Sequence, residues 1–323
     1  AETCEYQRHF LAFHPQKIIL TSVESDHQDF YPTYEDIRDA FVDYVCLLPQ
    51  GGQLIYCADD EGASECALLA RQRRGDIEIV PYGIKADGCY HLEFGRVEQG
   101  RQCFVVPAIG DCAIVVPGEH NVRNAAAAIA LCVELLKADG RTVADYADRI
   151  KSGLLAFTGG RRRSEIVGRA RLASGREVIF IDDYGHHPTA IKTTLGGYRA
   201  FYRGYRIILD FMSHTYTRTA ALLEDFASSF DSADEVIINK IYGSAREDAS
   251  AAKVTGETLA EHACRYHKHV HYCAEFDDAA RTAYRLLQEM EGGENVLFVT
   301  MGAGDNWKVG RKLLDLLTPA KEL

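Results

Sequence analysis

Two polar stretches, each following a short apolar run, hold the residues best suited to chemistry. Asp182-Asp183-Tyr184-Gly185-His186-His187-Pro188 follows Val178-Ile179-Phe180-Ile181, and Asp210-Phe211-Met212-Ser213-His214-Thr215-Tyr216-Thr217-Arg218-Thr219 follows Arg206-Ile207-Ile208-Leu209. The apolar runs do not alternate, the pattern of strands buried on both faces of a parallel sheet. Between them, Ile191, Leu195, Tyr198 and Phe201 recur at helical spacing over Pro188 to Tyr202. The stretches are therefore the two loops of one βαβ unit, at the sheet edge where open α/β folds bind ligands. His186, His214 and Arg218 suit an anion or a carboxylate. A guanidinium grips a carboxylate through two parallel N–H bonds, which an ammonium cannot do. An imidazole titrates near neutrality and can accept a proton from an incoming ammonium. The residues do not decide which histidine would do so.

Further constellations lie elsewhere. Glu24-Ser25-Asp26-His27-Gln28-Asp29 follows the strand candidate Lys17–Thr21. It reads either as a surface βα loop or as part of a cation site. Mg²⁺ favours oxygen ligands and water, and an imidazole joins when phosphates supply the rest. In His120-Asn121-Val122-Arg123-Asn124 the two asparagines lie three apart and share a helix face. They either cap a helix or offer donor and acceptor pairs to adenine. Arg161-Arg162-Arg163 is a local anion site or a solvated edge. The loops Tyr242–Glu247 and Gly302-Ala303-Gly304-Asp305 are secondary candidates, the latter through backbone amides facing phosphate.

The elements that must position these groups are those of an α/β protein. At 323 residues the chain is long enough for two domains, and Thr158-Gly159-Gly160 marks the boundary between 1–158 and 159–323. In the first part, strands at Lys17–Thr21 and Gln53–Cys57 alternate with helices over Tyr34–Leu48 and Ser64–Arg73. From Ile77 to Val116 the runs shorten and alternate, predicting an antiparallel patch. Helices then follow, to Lys137 and over about Val143–Leu155. Beyond the boundary five strands, near Val178, Ile207, Val236, Val270 and Val296, interleave with helices, including one over Thr219–Phe230. That order predicts a Rossmann-like parallel sheet.

With 36 basic and 47 acidic residues the net charge is −11, which argues against nucleic acid or an anionic membrane as partner. No apolar run has the length of a membrane helix. Ten cysteines form no C-x-x-C pair. Cys46, Cys57, Cys112, Cys132 and Cys264 sit in apolar contexts and are expected to be buried, reduced thiols of a cytoplasmic protein.

Taken together, these motifs resemble the Mur ligase family of peptidoglycan synthesis. Glu24–Asp29 is similar to the family's E-x-D-H-x-D, and Gly118 to Ala126 to its G-x-H-N-x-x-N-x-x-A. Phe157 to Glu165 is similar to F-x-G-x-x-R-R-F-E, with Ser164 in place of the aromatic. Met301 to Asp305 matches the late G-A-G-D loop. The resemblance implies a central ATPase-like α/β domain with a small antiparallel sheet, followed by a Rossmann-like C-terminal domain that binds an amino acid. The family's phosphate loop, G-x-x-x-x-G-K-S/T, does not occur in these residues. Ala1 to Tyr6 is similar to a stretch inside the family's central domain. By the resemblance the central domain is N-terminally incomplete, the UDP-binding domain is missing, and this chain alone is expected to be inactive.

The resemblance also implies roles. Glu2 and His27 would bind Mg²⁺, and Asn121 and Asn124 would face the adenine of ATP. Arg163 would reach over the phosphates. Asp183 would contact the nucleotide, through the ribose hydroxyls. Tyr184, His186, His214 and Arg218 would hold the amino acid, with Arg163, His186 and His214 acting in catalysis. Arg161 and Arg162 are expected to be solvated. The implied reaction joins L-alanine to UDP-N-acetylmuramate through an acyl phosphate, once the two domains close on the nucleotide. The His214-Thr215-Tyr216-Thr217-Arg218 sequence favours alanine addition over the family's murein tripeptide ligase. Phe211-Met212-Ser213 departs from the Gln-Pro common before this histidine. No lysine lies between Asp29 and Gln50, so no carbamylated lysine is expected. A non-catalytic nucleotide-binding module is the alternative from another class.

Overall fold

In unit 2, which comprises Val116–Gly118 and Thr158–Leu323, the apolar runs of the sequence become the middle of a six-stranded sheet. The computed structural model describes residues 1–28, 30–243 and 254–318. In chain order the strands of unit 2 are β7 (Glu165–Arg171), β8 (Glu177–Asp183), β9 (Arg206–Met212), β10 (Glu235–Ile238), β11 (Val270–Tyr272) and β12 (Val296–Gly302). Their spatial order is β11-β10-β9-β12-β8-β7. The last strand, β12, lies between β8 and β9 and runs parallel to both. The carboxyl ends of these three strands are therefore adjacent, and the loops at 182–188, 210–219 and 302–305 spring from them, while the Tyr242 loop follows β10.

Strand periodicity divides the core between the two faces of the sheet. Ile179, Ile181, Ile207, Leu209 and Phe211 pack with Ile191, Leu195 and Tyr198 of helix α5 (Pro188–Phe201). Val178, Phe180, Ile208 and Phe298 pack with Ala279 and Ala283 of α9 (Phe276–Glu289) and with Val309 and Leu313 of α10 (Trp307–Leu317). The five expected strands are present, and β7 is a sixth, antiparallel to β8. It escaped notice because it is an edge strand with only Ala170 buried and with Ile166 and Val167 exposed, so it shows no one-sided apolar pattern. The single helix expected over Thr219–Phe230 is two, α6 (Tyr216–Ala221) and α7 (Leu223–Ala227). The break lies at Leu222, and Leu222 and Leu223 both pack on the α5-side core. Helix α8 (Gly256–Ala263) begins with a Thr255–Thr258 capping box.

Unit 1 comprises Ala1–Val115 and Glu119–Phe157. Strands β1 (Lys17–Leu20), β2 (Gln53–Cys57) and β3 (Glu78–Tyr82) form a parallel sheet. Helix α1 (Tyr34–Val45) opens with a capping box between Thr33 and Asp36, and α2 (Glu61–Arg73) is capped by Asp60. Strands β4 (Glu93–Glu98), β5 (Arg101–Val106) and β6 (Gly110–Ile114) form the antiparallel patch. That patch begins later than expected. Glu78–Tyr82 pairs in parallel with β2, and Gly88–Tyr90 is a 3-10 turn. Helix α3 (Glu119–Ala138) buries Val122, Ala126, Ile129, Ala130 and Val133 against Tyr82, Phe104 and Val106. Helix α4 (Ala147–Ala156) packs beside β6.

All ten cysteines are free. Cys57 and Cys112 are buried as expected, Cys46 is half-buried, and Cys132 and Cys264 are exposed, contrary to expectation. On α3 the core side is taken by Ile129, Ala130 and Val133, which turns Cys132 outward. Among the described residues no helix is long and apolar enough to cross a membrane.

One glycine at the β12 terminus is required by the backbone. Gly302 has φ of +140°, and a Cβ there would lie 2.2 Å from the Met212 carbonyl oxygen. Gly302→Ala is expected to cost roughly 2–4 kcal/mol, from the sum of an unfavourable backbone region and a steric clash. A urea-unfolding midpoint within error of the parent would show that β9 and β12 part easily at this point.

Candidate active site

The end of β8 is built around two buried carboxylates. Asp182 Oδ2 accepts a bond from Arg162 Nε at 2.8 Å and Asp182 Oδ1 one from Thr300 Oγ1 at 2.8 Å. Arg162 also donates from Nη2 to the Gly302 carbonyl at 2.7 Å, and its guanidinium lies 5.3 Å from the Tyr184 ring centre. The expectation that Arg162 is solvated is thus wrong: it closes an ion pair with an acid on the sheet. Arg161 is exposed. Burial pushes the Asp182 carboxyl above its usual range, and the bonds from Arg162 and Thr300 oppose that rise.

Asp183 is engaged on both oxygens. Oδ1 accepts from the Gly185 amide at 2.8 Å, and Oδ2 accepts from the Ser164 amide at 2.8 Å. The Ser164 hydroxyl accepts from Tyr198 at 3.0 Å. Serine in place of an aromatic therefore makes this junction polar. Burial raises the Asp183 carboxyl as well, against the two amides and the charge of Arg163. Arg163 itself is exposed and sits 5.9 Å from the Tyr184 ring centre.

Above this base four rings follow one another. Tyr184 and His186 lie 5.0 Å apart, His186 and His214 5.9 Å apart, and His214 and Tyr242 5.8 Å apart, measured between ring centres. His186 Nδ1 lies 2.9 Å from the Tyr184 carbonyl oxygen, to which it donates in the tautomer with a proton there. The structure thus brings Tyr184, His186 and His214 together. Tyr242 joins them from the loop ranked second on sequence, while Ser244–Glu247 of that loop lie outside the described residues.

His214 and Arg218 belong to one tightly held strap. Thr215 has φ of +64° and ψ of 138°, a region that a β-branched residue occupies only under strain. Three contacts hold it there. Its amide donates to the Tyr242 carbonyl at 3.0 Å, and its carbonyl accepts from the Thr219 amide at 3.1 Å and the Thr219 hydroxyl at 2.7 Å. Its own hydroxyl receives the Arg218 amide at 3.4 Å, capping α6. Arg218 is buried. Sequence pattern marked the strap but not the strained residue at its centre, because no residue type announces a positive φ at a threonine.

In unit 1, His27 has φ of +53°. Its Nε2 donates to Glu5 Oε1 at 3.1 Å and lies 3.9 Å from Asp26 Oδ2. The hydrogen bond from His27 holds the Glu5 carboxyl below its ordinary range. Glu5, not Glu2, is the glutamate beside the histidine, and Glu2 is exposed. Asp29 lies outside the described residues. Among the described residues no group of three or more His, Cys, Asp or Glu is arranged to hold a metal ion. These side chains as placed do not make a cation site by themselves. Asn121 and Asn124 stand near the start of α3, the first half-buried and the second exposed. Between them in sequence, Arg123 pairs with Asp59 at 2.9 Å and lies over Phe94.

Residues 4–132 match the model of the Mur ligase middle domain, and residues 162–304 match that of the Mur ligase, glutamate ligase domain. The chain belongs to the Mur ligase family. It is similar to the UDP-N-acetylmuramate–L-alanine ligase of Treponema pallidum (strain Nichols), with 48% identity over 318 residues, 98% of this chain and 64% of that protein. The ligase of the same name from Borreliella burgdorferi is 34% identical over 307 residues, 95% of this chain and 63% of that protein. This Mur ligase chain thus spans less than two thirds of the length of these relatives. Among solved structures, the UDP-N-acetylmuramate-alanine ligase of Thermotoga maritima has a TM-score of 0.69 at 24% identity, covering 97% of this chain and 62% of that one. A murein peptide ligase from Psychrobacter arcticus has a TM-score of 0.57 at 19% identity, covering 98% of this chain and 60% of that one. The likeness to both structures is one of fold: a mixed α/β Mur ligase architecture.

Proposed function

We propose that this Mur ligase takes part in the ATP-dependent joining of L-alanine to UDP-N-acetylmuramate, within peptidoglycan synthesis. The observation that carries the reading is the strap that holds His214 and Arg218 on one short segment beside Tyr184 and His186. A fixed cation and imidazoles, a few residues apart, match the two ends of an amino-acid zwitterion. The 48% identity to proteins named for this activity supports the same substrate pair.

In the reaction, a carboxylate oxygen of UDP-N-acetylmuramate attacks the γ-phosphorus of ATP, and ADP leaves. The resulting acyl phosphate is attacked by the amine of L-alanine, the amide C–N bond forms, and inorganic phosphate leaves. Arg218 orients the alanine carboxylate, and His186 or His214 accepts the proton that the ammonium must lose before attack. Arg163 offsets charge on the transferred phosphoryl group. Asn121 and Asn124 offer amides to the adenine. Asp183 acts chiefly by fixing the amides of Ser164 and Gly185, which directly follow Arg163 and Tyr184. Mg²⁺, when bound with the nucleotide, would offset charge on its phosphates.

Phosphate release from ATP by these residues joined to the family's phosphate-loop and UDP-binding portions, with UDP-N-acetylmuramate present, is expected to depend on L-alanine. Glycine and L-serine are expected to serve at least about tenfold less well by kcat/KM. Release that responds equally to a murein tripeptide, or to no amino acid, would overturn the reading.

A further inference from the structure

Beneath the strap lies a polar knot to which nothing above assigns a task. Asp210, near the end of β9, is fully buried on the face shared by Ile208, which packs toward α9 and α10. Two amides hold its carboxyl: Asn306 Nδ2 donates to Oδ1 at 3.1 Å, and Asn239 Nδ2 donates to Oδ2 at 3.1 Å. Asn306 also donates to the Met301 carbonyl at 3.0 Å, and Asn239 to the Cys273 carbonyl at 3.3 Å. The side-chain oxygens of both asparagines are buried and unpartnered. Burial pushes the Asp210 carboxyl up to about 7, with the two amides opposing the rise.

An apolar side chain would fill this place at lower cost, since Ile208 and Phe298 line the same face. What the carboxyl adds is a tie between strand ends. Asp210 lies four residues before His214. Asn239 lies three before Tyr242, and Asn306 directly follows the Gly302–Asp305 loop. Above the knot the same three loops meet again. The Thr215 amide reaches the Tyr242 carbonyl, and Gly304 is seated so closely on Met212 and Tyr242 that an added Cβ would clash with both.

We propose that Asp210 is a positioning residue for amino-acid binding: through Asn239 and Asn306 it sets the spacing of the three loops that place His214 and Arg218. This rests on the assignment of His214 and Arg218 to the amino acid. Asp210→Leu keeps an apolar-compatible volume and takes the carboxyl away from both asparagines, leaving only the bond from Asn306 Nδ2 to the main-chain carbonyl of residue 210, at 3.2 Å. It is expected to raise the KM for L-alanine about tenfold, equivalent to ~1.4 kcal/mol. The KM for ATP and kcat are expected to stay within about threefold. Asp210→Asn is expected to restore the alanine KM to within about threefold, because an amide accepts from one asparagine and, once the side-chain amide of the other turns over, donates to its oxygen. The thermal midpoint is recorded beside the kinetics and does not decide the question. An unmoved alanine KM in Asp210→Leu, or no rescue by Asp210→Asn, overturns the proposal. Should Asp210→Leu fail to fold, Asn306→Ala is read by the same split between the two KM values. Absence of alanine-dependent release by the unsubstituted residues joined to the family's phosphate-loop and UDP-binding portions sinks the ligase reading and this proposal together. Alanine-dependent turnover with an unmoved KM sinks this proposal alone.

Discussion

Arg218→Ala is expected to raise the L-alanine concentration for half-maximal turnover by roughly two orders of magnitude, while the ATP requirement changes by less than about twofold. The argument is one of desolvation and geometry. Arg218 is only 8% exposed, so a carboxylate that meets it exchanges water for a guanidinium in a low-dielectric setting. Truncating one partner of such a charge pair typically costs about 2–5 kcal/mol. Arg218→Lys keeps the charge and loses the planar fork, so it is expected to recover only part of the loss. The backbone of the strap should survive both changes, since it is held by Thr215, Thr219 and Tyr242 through main-chain and hydroxyl bonds. Titration of L-alanine against initial rate, with an unfolding curve for each variant, provides the check. A KM for alanine that does not move would place Arg218 among the structural residues of unit 2 and remove the main support for amino-acid recognition at this strap.

A stability loss of about 3–5 kcal/mol is expected for Arg162→Ala at neutral pH, because it leaves the Asp182 carboxylate buried without its cation. The two side chains are 19% and 6% exposed, which limits how far water can replace the guanidinium. The loss should depend on pH in a definite direction. Asp182 already has a raised carboxyl with Arg162 present, and removing the arginine raises it further. A folded state that holds its proton more tightly than the unfolded chain is favoured by acid. Its relative stability is full below the ordinary carboxylate range and falls as pH climbs through the raised value. The deficit of Arg162→Ala should therefore be small near pH 4 and largest at pH 7 and above. Urea unfolding at several pH values tests this. A deficit below about 1 kcal/mol at pH 8 would mean that the pair behaves as a solvent-screened surface bridge. Because Arg162 also binds the Gly302 carbonyl, the variant is expected to disturb the β12 loop as well.

The residues alone carried the reading a long way, for reasons visible in individual elements. Val178–Ile181 and Arg206–Leu209 were recognisable as buried strands because neither alternates, and both sit inside the sheet with neighbours on each side. Pro188–Phe201 was recognisable as a helix because its apolar residues face one core. The order of the motifs was enough to indicate the Mur ligase family, which the domain matches bear out. Strand β7 was not legible because it is an edge strand whose residues mostly face solvent, Ile166 and Val167 included. The break at Leu222 was missed because the apolar spacing continues through it, and helical periodicity does not record an interruption that leaves both leucines against the same core.

What the sequence determined by itself was therefore the set of buried segments and the chemical types standing at their ends. Those follow from periodicities of two and between three and four, which are local properties of the chain. What only the tertiary structure decided was the pairing of the polar groups. Arg162 meets Asp182 twenty residues on and the Gly302 carbonyl 140 residues on. Ser164 joins Asp183 and Tyr198, Thr215 is forced to a positive φ by Tyr242 and Thr219, and Asp210 ties Asn239 to Asn306. A buried polar group must find a partner wherever the fold presents one, and that partner's position in the chain follows no local period.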